Sequence, residues 1–301
     1  MNPTQFSGWL ERQCQPSPDN SFQKPLIMGI LNVTPDSFSD GGKFLSMDMA
    51  CKHAYRLVSQ GADLIDIGGQ STRPGAQHVP LDEELERVIP VIEQIRANSD
   101  ICISIDTNKP EVMAAAVSAG ANVINDIYAL RTEGALEMAA ELAVPVCLMH
   151  MQGEPHNMQH HPYYSDGVLS EVTRFFMERI AECEREGIKR NNIILDPGFG
   201  FGKQVQDNLL LVKNLDSFAS FGMPLLLGVS RKSTIGTVLA KEVGERLIGS
   251  IATAVYAALN GVGIIRTHDV DETSQALHMI AMISQADVNQ LTQSKIRDRG
   301  G

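Results

Sequence analysis

Eight short apolar runs, at residues 26–31, 64–67, 101–105, 123–124, 146–149, 193–195, 225–229 and 263–265, recur along this 301-residue chain. Runs this short and without alternation predict strands buried on both faces, as in a parallel sheet. Between and after them lie stretches with helical spacing, at 48–59, 82–97, 111–119, 134–142, 167–186, 208–217, 245–259 and 272–284. Several stop at a glycine (Gly61, Gly120, Gly187, Gly261), where a left-handed residue ends a helix without a Cβ penalty. A strand and a helix repeated eight times predict a single α/β domain, a (β/α)8 TIM barrel. The alternative is an open doubly wound sheet, and the repeat count favours the barrel. The expectation is one domain over 1–301, with a core at about 25–285 and peripheral tails at both ends.

The formal net charge of −11 argues against a general nucleic-acid partner, which needs a positive face to release counterions. Any anionic ligand must therefore be met by cations placed locally. Cys14, Cys51, Cys102, Cys147 and Cys183 show neither CxxC spacing nor an even count, so they read as reduced thiols and predict a cytoplasmic setting. The first thirteen residues lack a basic stretch followed by an apolar one, so a signal peptide is not expected. No apolar stretch is long enough for a bilayer, and a membrane partner is not expected either.

The unusual polar residues are expected just after the strands, on the face where barrel loops converge. They are Asn32 to Gly42, Gly68 to Gly75, Asp106-Thr107, Asn125-Asp126, His150, Asp196 to Lys203, Ser230 to Ser233 and Arg266 to Asp269. Some have a plain structural explanation: Asp126, Asp269 and Ser233 suit helix caps, and the glycines near Asp196 suit a tight turn. Asp106 and Asp196 are different, because each closes an apolar run and would start inside the barrel mouth, where a carboxylate needs a partner. Lys203 is followed by Gln204, so the glycine-rich stretch is not a nucleotide P-loop. Gly261-Val262-Gly263 precedes a strand and is no dinucleotide fingerprint. His156, His160 and His161 sit in a polar loop without acidic or cysteine companions and read as loop residues. What remains is a pocket of buried Asp and Asn groups with a basic side of Arg73, Lys232 and Arg266. Those groups suit a flat heterocycle rich in N–H donors that carries phosphate.

The same segments resemble the dihydropteroate synthase family of pterin-binding barrels. The stretch from Met28 to Gly42 matches the family's opening signature nearly letter for letter, and Asp66 to Gly75 matches its second. The later segments follow in order, and the similarity covers about residues 25 to 285. The resemblance implies a (β/α)8 homodimer with two extended loops over its C-terminal face. It further implies condensation of (7,8-dihydropterin-6-yl)methyl diphosphate with 4-aminobenzoate in folate biosynthesis, with magnesium as the cofactor. Carried over by position, Asp106, Asn125, Asp196 and Lys232 hold the pterin, and Asn32 binds magnesium. Thr72, Arg73, Arg266 and His268 surround the diphosphate, and Phe38, Pro74 and Ser233 shape the 4-aminobenzoate pocket. Asp36, Arg73 and Lys232 are the implied catalytic side chains. Sulfonamide sensitivity is implied by the same pocket.

Two positions depart from the family pattern: Gln70 stands where Glu is usual, and Thr267 where Val is frequent. With Ser71 to Gly75 intact, the first should alter loop electrostatics without abolishing activity. A pterin-binding methyltransferase would not need the Asn32–Gly42 loop or Lys232-Ser233. A non-catalytic paralogue would have lost some of Asn32, Asp106, Asp196, Lys232 or Arg266, and all are present.

Overall fold

The computed structural model describes residues 1–14, 22–34, 43–71, 79–153, 158 and 162–286, with side chains from residue 47 onward in the helix that begins at Lys43. Eight strands form one all-parallel sheet: β1 (Leu26–Asn32), β2 (Leu64–Gly68), β3 (Cys102–Asp106), β4 (Val123–Asp126), β5 (Val146–Met149), β6 (Ile193–Asp196), β7 (Leu226–Gly228) and β8 (Ile264–Thr267). Their order is β6-β5-β4-β3-β2-β1-β8-β7, and a parallel bridge between Leu195 and Leu225 joins the two ends. The sheet therefore closes on itself, as the repeat count predicts.

Side chains alternate between two environments along each strand. Ile27, Ile65, Ile103, Ile124, Leu148, Leu195 and Ile265 belong to the large core beneath the helices. Leu26, Met28, Leu64, Cys102, Val123, Cys147, Ile194, Leu226 and Ile264 form a second cluster that fills the lower barrel. Outside run α2 (Lys43–Ser59), α3 (Leu81–Arg96), α4 (Pro110–Ala119), α5 (Ala135–Leu142), α6 (Val168–Arg185), α7 (Val205–Lys213), α9 (Leu247–Leu259) and α10 (Val270–Ser284). The short α8 (Ser233–Leu239) is inserted between β7 and α9. Gly61, Gly120, Gly187 and Gly261 all take positive φ, as expected of helix ends.

The start of the chain departs from the sequence expectation of a peripheral tail. Residues Pro3–Gln13 form α1, opened by a capping box between Asn2 and Gln5. Phe6, Trp9 and Leu10 are buried in the lower-barrel cluster, and the Cys102 N–H donates to the Met1 carbonyl at 2.8 Å. A Cβ on Gly263 would lie 3.2 Å from the Trp9 ring, so the chain leading into β8 approaches the indole closely. The helix is a floor for the barrel. Trp9→Ala is expected to remove about 3–5 kcal/mol of stability through the cavity it leaves. Urea unfolding checks this: the midpoint should fall with little change of slope, and an unmoved midpoint would make α1 a bystander.

Candidate active site

The strands run a residue or two past their apolar runs, so Asn32, Asp106, Asn125, Asp196 and Arg266 lie inside strands rather than after them. This corrects the boundary expected from sequence. Asp106, Asn125 and Arg266 are tied together inside the barrel, directly or through Asp66, so the ladder continues there without an apolar run. Above the apolar lower cluster, Asp66, Asp106, Asn125 and Asp196 are all buried.

Arg266 is the hub. Its Nε donates to Asp66 Oδ2 at 2.6 Å and a terminal nitrogen donates to Asp106 Oδ2 at 2.7 Å. Asn125 Nδ2 donates to the same Asp66 oxygen at 3.0 Å. Burial works against the Arg266 charge, but Asp66 and Asp106 together outweigh it and hold the guanidinium pKa above its ordinary value. Asp106 is pushed up to about 7, chiefly by burial, which Arg266 opposes and the Asp66, Asp126 and Glu84 carboxylates reinforce.

Asp196 and Lys232 face this group. Burial raises the Asp196 pKa, against the pull of Lys232, the Gly198 N–H, Lys203 and Arg266. That N–H donates to Asp196 Oδ1 at 2.8 Å. Burial pushes the Lys232 ammonium down to about 8, with Asp196 opposing. Lys232 Nζ donates to the Phe199 carbonyl and stands 4.4 Å from the Phe201 ring centroid. It is aimed by a left-handed turn at Arg231, φ 58°, whose N–H donates to Ser250 Oγ at 2.9 Å and whose guanidinium grips Asp269.

The stretch after Asp196 is built around glycines for a specific reason. At Gly198, φ 71°, a Cβ would lie 1.8 Å from the His150 carbonyl oxygen; at Gly202, φ 60°, it would lie 2.3 Å from that of Gln152. Under this loop Lys203 is 2% exposed, and its ammonium donates to the Gly198 and Phe201 carbonyls at 3.0 and 3.1 Å. It also meets His150 Nδ1 at 2.9 Å. Burial lowers Lys203 to about 7, and burial with the Lys203 charge lowers His150 to about 2. His150 is therefore neutral and its Nδ1 accepts.

The remaining expected residues are placed as follows. Half-buried Asn32 ends β1, and a Cβ on Gly68 would touch both its Oδ1 and Asp106. Half-buried His268 follows β8, with its backbone N–H and its Nδ1 at 3.2 and 3.0 Å from Ser230 Oγ. Exposed Ser233 opens α8. Asp36, Phe38, Thr72, Arg73 and Pro74 lie outside the described residues, as do His156, His160 and His161. Of the residues given a plain structural explanation, Asp126 accepts the Tyr128 and Leu130 N–H groups at 2.8 Å and so fixes a turn. Asp269 holds the N-cap position of α10, but its carboxylate binds Arg231 instead of the helix.

Gln70 Oε1 accepts from Lys109 Nζ at 3.1 Å, and the same ammonium reaches the Val79 carbonyl at 2.8 Å and the buried Glu84 carboxylate. The neutral amide leaves Lys109 and Glu84 a balanced pair. Sequence reading assigned no role to Asp66, Lys203 or the Phe199–Phe201 wall. Asp66 carried a signal: it is an acid inside the apolar run Leu64-Ile65-Asp66-Ile67.

The profile of the pterin binding enzyme family matches residues 28–268. The chain is 53% identical to the dihydropteroate synthase of Escherichia coli K12 over 265 residues, which covers 88% of this chain and 94% of that one. It superposes with a TM-score of 0.83 on a Yersinia pestis dihydropteroate synthase bound to a sulfonamide drug, at 51% identity, covering 87% of this chain and 95% of the other. The Xanthomonas albilineans dihydropteroate synthase with 4-aminobenzoic acid also gives 0.83, at 48% identity, with 88% and 95% covered.

Proposed function

This chain belongs to the dihydropteroate synthase family of pterin-binding barrels, and from that premise we propose how its residues divide the reaction. The enzyme is a transferase of folate biosynthesis that condenses (7,8-dihydropterin-6-yl)methyl diphosphate with 4-aminobenzoate and releases diphosphate. The observation that carries the proposal is the meeting of Asp106, Asn125, Asp196, Lys232 and Arg266 at one barrel mouth.

Asp106 and Asp196 accept from the amino and ring N–H donors of the pterin, while Asn125 and Lys232 bind its other polar edge atoms. A ligand that supplies donors favours the ionised carboxylates against the burial that otherwise raises their pKa. Arg266 and His268, with Thr72 and Arg73, receive the diphosphate. Asn32 offers a hard carboxamide oxygen at the mouth and is the residue that would hold magnesium. When bound, magnesium supplies Lewis-acid stabilisation of the charge that gathers on the departing diphosphate. The scissile bond lengthens first, because the electron-rich dihydropterin ring delocalises the positive charge left on the methylene carbon. The arylamine, largely unprotonated near neutral pH, then attacks from the side shaped by Phe38, Pro74 and Ser233; positioning matters more than a strong base. Asp36 and Arg73 complete the catalytic set with Lys232.

The direct test mixes the protein with both substrates and magnesium and looks for 7,8-dihydropteroate by mass. Product should form, fall to background with excess chelator and return on adding magnesium. Product that persists undiminished in chelator would remove the metal from the scheme. The Yersinia pestis relative binds a sulfonamide drug, and this chain keeps the Phe38, Pro74 and Ser233 positions. Sulfonamide inhibition competitive with 4-aminobenzoate is therefore expected, and undiminished turnover at a large drug excess would refute it.

The protein is a homodimer through the face of α7, α8 and α9. Leu209, Val238, Leu239, Ile248, Tyr256 and Leu259 are exposed there around an apolar cavity of about 350 Å³, which a second copy would cover. No helix among the described residues is long and apolar enough to cross a membrane. The cytoplasm is the compartment proposed.

A further inference from the structure

Asp66 lies one tier below the mouth of the pocket. In register, Asp66 is level with Ser104, and it is Gly68 that stands level with Asp106. Asp66 is fully buried, at 0% exposure. Its Oδ2 accepts from Arg266 Nε at 2.6 Å and from Asn125 Nδ2 at 3.0 Å. Its Oδ1 and the Ser104 Oγ have no hydrogen-bond partner among the described residues. Burying a carboxylate with one oxygen unpartnered opposes folding, and an ion pair in such a place returns little net stability. A well-packed apolar side chain would hold this tier at lower cost. The contribution of Asp66 is therefore to be sought in what it orients.

Two pocket groups depend on it. Arg266 has a long stem with many rotamers, and a single contact to Asp106 would leave its plane free to turn. The second contact, to Asp66, fixes the guanidinium at two points. Asn125 could present either end of its carboxamide; the bond from Nδ2 to Asp66 decides which. Asp196, on the opposite wall, is held instead by the Gly198 N–H.

We propose that Asp66 is a positioning residue of the pterin site, setting the plane of Arg266 and the amide of Asn125 from beneath while contacting neither the diphosphate nor the reacting carbon. This inference rests on the pterin reading of the pocket given above. Asp66→Ala removes both the charge and the acceptor, whereas Asp66→Asn keeps the shape and one acceptor oxygen. The readouts are KM for each substrate, and calorimetric binding of 6-hydroxymethylpterin, which has no diphosphate to lose. In Asp66→Ala the KM for the pterin substrate and the Kd for 6-hydroxymethylpterin should each rise at least about tenfold. Asp66→Asn should rescue part of that loss, and KM for 4-aminobenzoate should stay within about twofold in both. The loss should shrink in an Arg266→Lys background, because the two residues act as a unit. If the alanine variant does not fold, the asparagine variant carries the same test with a smaller rise. Parental pterin affinity in the folded variants, equal rises in both KM values, or full additivity with Arg266→Lys would each overturn the proposal. Asn125→Ala, measured alongside, separates the two readings. Untouched affinity for 6-hydroxymethylpterin in that variant defeats the pocket assignment itself; abolished affinity there, with Asp66 variants unaffected, defeats this inference alone.

Discussion

Lys232→Ala lowers kcat/KM by about a thousandfold or more, in a protein that still unfolds cooperatively. The effect is large because one side chain serves two ends of the site. Its ammonium, buried against Phe199 and Phe201, is a donor aimed into the pocket. It is also the leading charge opposing the burial of Asp196. Without it burial raises the Asp196 carboxyl further, which disfavours the carboxylate proposed to accept from the pterin. The sign is checkable. In Lys232→Ala the residual pterin affinity should improve as pH rises, while the parent should lose affinity as Lys232 titrates near pH 8. Asp196→Ala should cost a similar factor, and the double variant should cost clearly less than the product of the two. Retention of activity within about tenfold in Lys232→Ala would leave the pterin-pocket scheme without its main donor.

Gly198→Ala is expected to cost several kcal/mol, about 3–5, and to take activity with it. Its Cβ would sit 1.8 Å from the His150 carbonyl oxygen, and that oxygen belongs to backbone that cannot swing aside. Moving the loop instead breaks the N–H bond to Asp196 and disperses the carbonyls that hold the Lys203 ammonium. Gly222→Ala is the matched control: φ is 64°, yet nothing lies within 4 Å of the new Cβ. Left-handed strain alone costs about 1–2 kcal/mol. The gap between the two variants in urea unfolding measures the close approach, and equal costs would show that the loop gives way freely.

Much of this architecture is legible in the residue order. The strands are buried on both sides, so they read as unbroken apolar runs, and Gly61 or Gly120 punctuates the helices because glycine takes a left-handed end without strain. Strand ends were less legible, since Asp106, Asn125 and Arg266 continue the ladder only by pairing with residues far away in sequence. Asp66 and Arg266 stand 200 positions apart, and no local pattern announces their bond. Helix α1 was missed because its apolar side is narrow (Phe6, Trp9, Leu10) and its partner is a barrel floor that exists only once the sheet has closed. The neutral state of His150 was likewise invisible, being a property of its burial and of the Lys203 charge folded against it.

The barrel has a seam. Strand β7 spans three residues, and its link to β6 is the bridge at Leu195 and Leu225, with the Leu195 N–H donating to the Pro224 carbonyl at 3.0 Å. Asp196 ends the strand on one side of that seam, and Lys232 follows the strand on the other. On the proposed reading, a pterin gripped by both would span the join that backbone bonding secures least. Substrate then acts as a removable hoop stave, and any affinity it has for the closed barrel is returned as resistance to opening there.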